Sequence, residues 1–149
     1  MNDDELMAGV RHAFDALDPL PEGVLAAARA SIAWRTPAAT LAEPVQDRGA
    51  RAAAGVRGGP GRVLTFACPG TTVEIEVAEF GRDRELTGRL VPPSSGAVQV
   101  RHRDLPPDGI EVRAEAAGLF WVPRVPEGLV SLVLRLDDGT SIVTSWVRL

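Results

Sequence analysis

The sequence predicts a mainly β protein: an antiparallel β-sandwich of about eight strands, preceded by two short amphipathic helices. Three observations carry that reading. Apolar residues recur at helical spacing through the first 35 residues. Residues 48–61 (RGARAAAGVRGGPG) hold no large apolar side chain except Val56. From Arg62 onward, short segments alternate apolar and polar residues between Gly- and Pro-bearing turns. The expected organisation is therefore a helical acidic segment over 1–47, a linker over 48–61 and a β domain over 62–149.

In the first helix Leu6, Val10, Phe14 and Leu17 fall on one face, with Met7 and Ala13 beside them. Asn2 or Asp3 can cap its start, and Asp3, Asp4 and Glu5 suit the positive end of its dipole. Pro19 and Pro21 end this helix and open a second. That one runs from Pro21 to Arg35 through Val24, Leu25, Ala28, Ile32 and Trp34, and Pro37 closes it. A short helical turn is expected around Ala38 to Leu41, before Pro44. The 48–61 stretch has the composition of a flexible linker, and its arginines suit a protease.

The strands follow in order. RVLTFA, TTVEIEVAEF and RELTGRLV are separated by turns at CPGT and FGRDR. Val73, Ile75 and Val77 share one face of the middle strand while Glu74 and Glu76 share the other, the period-two signature of half-burial. AVQVRHR, IEVRAEA, GLFWVPRV, LVSLVLRLDD and TSIVTSWVRL complete the series, the last two joined at Asp138-Gly139. No helical period long enough for a βαβ crossover interrupts them, so pairing is expected to be antiparallel.

Composition narrows the function. Hydrophobic residues make up 45% of the chain and aromatic residues only 5%, with no tyrosine, so the core must rest on aliphatic side chains. All 16 basic residues are arginine, and the net charge is -4. Through Asp47, eight acidic residues face three arginines; the remainder holds 12 acidic and 13 basic residues. Acidity therefore belongs to the N-terminal segment. The charge argues against nucleic-acid binding, and the run Arg48, Arg51, Arg57, Arg62 has no interleaved aromatic residue. No apolar run approaches the ~20 residues that span a bilayer, and MNDDELMAGV lacks a signal-peptide pattern, so a cytoplasmic protein is expected.

Catalytic chemistry has little to work with. Cys68 is the single cysteine, which excludes an internal disulfide or a cysteine metal cluster. His12 and His102 lie in different halves of the chain and are expected at the solvated surface. Asp3-Asp4 and Asp137-Asp138 have the character of cap and turn residues. Gly55–Gly61 lacks the Lys-Ser/Thr of a phosphate loop. No catalytic residue, metal ligand or cofactor contact is predicted. The helices are too short to build a core alone, so their faces need cover. Leu6, Val10, Phe14, Ile32, Trp34 and Arg35 are the candidate partner-binding residues, Trp beside Arg being the composition of an interaction hot spot. For Trp34 the simpler expectation is packing against the β domain, with anchoring of a partner as the alternative. Trp121 and Trp146 fall in strands, as core or as sheet-face residues.

From Leu86 to Leu149 the chain resembles the carboxypeptidase regulatory-like (prealbumin-like) β-sandwich. The matching elements are Gly88-Arg89-Leu90-Val91 at the end of a strand, Gly118-x-Phe120, and Val125-Pro126-x-Gly128 before a Val/Leu strand. That resemblance implies a prealbumin/Ig-like sandwich acting as a non-enzymatic accessory module. The whole chain also resembles a group of small actinobacterial proteins encoded beside sigma factors and peptidases. The shared elements are Trp34-Arg35-Thr36, Leu41-Ala42-Glu43, the Gly/Arg stretch and the closing Trp-Val-Arg-Leu from Trp146. This implies a regulatory or adaptor role in a signalling or defence cassette, with a sigma factor or a peptidase as protein partner.

Three functional expectations follow: a non-catalytic adaptor working through the helices; a precursor cut in the linker, with Arg48, Arg51, Arg57 and Arg62 as candidate sites; and a small-ligand or carbohydrate-binding sandwich with Trp121 on an exposed face.

Overall fold

A computed structural model describes residues 2–19, 21–49 and 61–149, so most of the expected linker, with Arg51 and Arg57, lies outside the described residues. The chain divides into two compact units, Met1–Arg35 and Thr36–Leu149.

The first unit is helical, as the periodicity predicts. Helix α1 spans Asp3–Leu17 and α2 spans Glu22–Ser31, with a 3-10 turn over Ile32–Trp34. Asn2 is the cap of α1. Its side-chain oxygen accepts from the Glu5 N–H at 2.8 Å, and Glu5 accepts in return from the Asn2 N–H at 3.2 Å, a reciprocal box that satisfies two orphan donors. No residue of α1 is buried. Helices α1 and α2 do not pack against each other along their lengths.

The second unit is mainly β. Its strands are β1 (Thr40–Arg48), β2 (Arg62–Cys68), β3 (Thr71–Phe80), β4 (Asp83–Val91), β5 (Gly96–His102), β6 (Ile110–Ala114), β7 (Leu119–Pro126), β8 (Leu129–Leu136), β9 (Ser141–Thr144) and β10 (Val147–Arg148). They form one large sheet in the order β6-β5-β8-β9-β1-β2-β3-β4-β7, with β10 added to β8, and the sheet nearly closes on itself as a barrel. The hairpins at Cys68–Thr71, Phe80–Asp83 and Asp138-Gly139 fall where the turn residues predict. The core lies between the two halves of the sheet. Leu64, Phe66, Val73 and Ile75 point inward from one half, and Val98, Leu132, Leu134 and Ile142 from the other.

Several expectations are corrected. Residues 38–41 are not a helical turn, and the N-terminal segment does not remain separate as far as 47: Thr40–Arg48 form β1, an integral strand of the β unit. Thr40–Ala42 pair with β9, the one parallel pair among the described strands, while Glu43–Arg48 pair antiparallel with β2. Pro44, unable to donate to a ladder, sits where β1 leaves β9, beside a register shift. The final segment keeps its expected hairpin partner but is interrupted: β9 pairs with Val133–Arg135 of β8, and after Ser145 and Trp146 β10 pairs with Leu129 and Val130 of the same strand.

Another correction is His102, which is not a surface residue but 2% exposed. Its Nδ1 accepts from the Asp104 N–H, and its Nε2 lies 3.1 Å from the carbonyl oxygens of both Pro126 and Glu127. Those partners assign the proton to Nε2, which donates to the two carbonyls. Gly128, at φ +147, leaves the space the ring occupies, since a Cβ there would meet Nε2 at 2.8 Å. The Pro-x-Gly turn thus seats a buried imidazole that ties two loops together.

Candidate functional site

The predicted partner-binding residues of the helical unit are largely displayed. Leu6 is 49% exposed, Val10 41% and Phe14 67%, and they form one stripe on α1, extended by the exposed Leu17. Ile32 is also exposed, Arg35 likewise, and Trp34 is half-buried. The stripe follows from the four-residue spacing, which returns side chains to one face of a 3.6-residue helix.

Of the arginines proposed as cleavage points, Arg48 and Arg62 lie in paired strands. The Arg62 guanidinium grips both carboxylate oxygens of Asp47, at 2.8 and 2.7 Å, and also donates to the Arg148 carbonyl at 2.5 Å. Hydrogen bonding from Arg62 holds the Asp47 carboxyl below its ordinary value. This is a staple across β1, β2 and the C-terminal strand.

The remaining titratable groups with chemical potential are tied into structure. Asp137 accepts from the Ser95 hydroxyl at 2.7 Å and from Arg113 at 2.8 Å, which lowers its pKa. Asp138 accepts from the Thr140 N–H at 2.8 Å and is lowered by that bond. Burial pushes the Cys68 thiol up, the opposite of nucleophile activation. His12 is exposed on α1, far along the chain from the buried His102. Among the described residues, no three His, Cys, Asp or Glu side chains converge as metal ligands would.

A second surface lies on the outer face of β2, β3, β4 and β7. Register places Val63, Glu76, Thr87 and Trp121 in one cross-strand row and Thr65, Glu74, Arg89 and Leu119 in the next. Trp121 is 57% exposed, which decides between its two expected roles in favour of the sheet face. Arg89 and Glu74 form an ion pair in the middle of the second row. A shallow open groove runs along Val63, Glu76, Thr87, Arg89 and Leu119. Sequence alternation marked Trp121 as a strand residue but could not say which face it takes. Trp146, also in question, is exposed in part.

The fold and these surfaces define a two-unit protein, a helical segment with a displayed apolar stripe joined to a mainly β, nearly closed sheet. Compared with known proteins, the chain matches no family model, no curated protein and no solved structure. No helix among the described residues is long and apolar enough to cross a membrane.

Proposed function

We propose that this protein is a non-catalytic regulatory or adaptor protein that acts in the cytoplasm by protein–protein contact through its helical unit. The observation that carries the reading is α1: a capped, fifteen-residue helix with an apolar stripe and no buried residue. Isolated helices of that length are marginal in water and draw their stability from packing an apolar face. A sequence that keeps Leu6, Val10, Phe14 and Leu17 in register is therefore built for a partner. The resemblance to small proteins encoded beside sigma factors and peptidases supports a signalling or defence setting, and makes those two classes the first partners to test. The structural engagement of Asp137, Asp138, His102 and Cys68 supports a role without catalysis.

The test compares the full chain with residues 36–149 as baits in the native cell. The full chain is expected to retain a specific protein that 36–149 loses by tenfold or more, and Phe14→Glu in the full chain should reproduce the loss, by placing a charge in the apolar contact at a cost of roughly 2–4 kcal/mol. Equal retention by both baits would move the function onto the β unit.

One observation favours a second reading, a small-ligand or carbohydrate-binding face. Trp121 is exposed beside a groove lined by Glu76, Thr87 and Arg89, and an aromatic plane with adjacent polar planar groups suits the apolar and hydroxyl faces of a sugar. Intrinsic fluorescence titrated with a panel of oligosaccharides should then show saturable quenching that Trp121→Ala removes. Flat titrations across the panel would end this reading.

A further inference from the structure

We propose that the partner element received by α1 is an amphipathic helix whose apolar stripe is flanked by arginine or lysine at both ends, and not a second copy of this chain. The inference rests on the adaptor reading above and names the chemistry of the partner at the same face.

The first argument is area. Leu6, Met7, Val10, Phe14 and Leu17 are between 41% and 86% exposed, so α1 displays on the order of 500 Å² of apolar side chain, about the non-polar share of one face of a standard-size interface. A single partner helix laid along the stripe accounts for a surface of this size and shape.

The second argument is charge. Residues 2–18 contain Asp3, Asp4, Glu5, Asp15 and Asp18 against Arg11 alone, so this one helix and its caps carry the whole net charge of -4, and the rest of the chain is balanced. The acids stand at both ends. Asp3, Asp4 and Glu5 occupy the first turn, where the helix dipole favours them. Asp15 and Asp18 stand at the other end, where the dipole opposes them, and the last turn holds no basic residue. Acids at a helix C-terminus reduce the stability of the helix that carries them, and local rules are broken in this way mainly at functional sites. A cationic partner relieves that cost.

The same distribution disfavours self-association. A parallel pair of α1 helices sets each acidic end beside its own copy. An antiparallel pair sets Asp3, Asp4 and Glu5 against Asp15 and Asp18. Both arrangements bring like charges together at each end of the stripe. A helix with basic residues at both ends matches α1 in either direction.

The test uses the full chain and two labelled synthetic helical peptides that share one leucine stripe, the first flanked at both ends by arginine and the second by glutamate. Fluorescence anisotropy is expected to show the arginine-flanked peptide binding about tenfold tighter or more, the preference shrinking several-fold between low and high salt. The double variant Asp15→Lys/Asp18→Lys suits the helix dipole and so leaves α1 at least as stable, and it should narrow or reverse the preference. Equal binding of both peptides, or dimerisation of the chain alone at the concentrations used, overturns the proposal. Retention of the cellular partner through residues 1–35 without a preference for the basic flank overturns this inference and leaves the adaptor reading standing. Retention by residues 36–149 alone removes both.

Discussion

A chain beginning at residue 62 is expected to stay unfolded, whereas one beginning at residue 36 is expected to melt cooperatively. Strand β1 is the reason. It contributes three register pairs to β9 and five to β2, and no other described strand joins those two neighbours. Without it both β9 and β2 become bare edges, with unpaired N–H and C=O groups facing each other across a gap. The fully buried Ala42, the bond from the Ser145 N–H to its carbonyl, and the Arg62 grip on Asp47 all disappear. Each ladder hydrogen bond contributes about 1 kcal/mol net, and more where its partner is left buried and unsatisfied, so the loss is comparable with the roughly 5–15 kcal/mol that stabilises a whole domain. Circular dichroism melts and amide dispersion of the two chains decide the matter; a cooperative transition from residues 62–149 would show that β1 is dispensable.

The same strand alters what proteolysis can do. Residues 1–49 and 61–149 expressed as separate chains are expected to co-purify as one folded particle, because β1 enters the sheet from the first piece and both its neighbours come from the second. A peptidase cutting between Arg48 and Arg62 would therefore nick the protein without releasing the helical unit. The precursor reading survives only in a form where the nick, and not the release, is the signal.

How much of this was legible in the sequence depended on the size of the side chains that alternate. Strand β3 announced itself because Val73, Ile75 and Val77 are large and its outward partners are glutamates. Strand β1 did not, because its buried residue is a mere alanine, Ala42, while Leu41 and Val45 are exposed and Pro44 interrupts the ladder. Its burial comes from neighbours on both sides, which no local pattern records. His102 was hidden for a related reason. Two flanking arginines give it a surface texture, yet the carbonyls that satisfy its ring come from Pro126 and Glu127, on another strand and the turn that follows it. The stripe and the acids of α1 were legible at once, since helical spacing and charge need no tertiary knowledge. What sequence could not supply was whether anything within the unit covers the stripe, and α2 does not.

A large single-residue effect is expected at Gly88. A glycine inside a strand ordinarily costs roughly 0.5–1 kcal/mol, so its place in β4 between the inward-facing Leu86 and Leu90 calls for a reason. The reason is Phe120, its register partner on β7, whose ring lies over the glycine. A Cβ on residue 88 would stand 1.9 Å from the ring's Cζ and 2.3 Å from both Cε atoms. Phe120 is 3% exposed and held between the halves of the sheet, so the ring has nowhere to swing. Gly88→Ala should therefore cost about 2–4 kcal/mol through overpacking, read as a fall in Tm of roughly 10 °C or more. Phe120→Leu alone should cost about 2–3 kcal/mol by leaving a void. Together the two changes should cost less than their sum by about 1–2 kcal/mol, because each relieves the fault the other creates. Additive costs would mean that the glycine serves some other need. The coupling matters beyond stability. Gly88-Arg89-Leu90-Val91 and Gly118-x-Phe120 were separate marks in the sequence, and the fold makes them one contact. Phe120 covers Gly88, while the Gly118 carbonyl, presented at φ +79, accepts from the Leu90 N–H at 2.9 Å. These short motifs therefore record a packing requirement between β4 and β7.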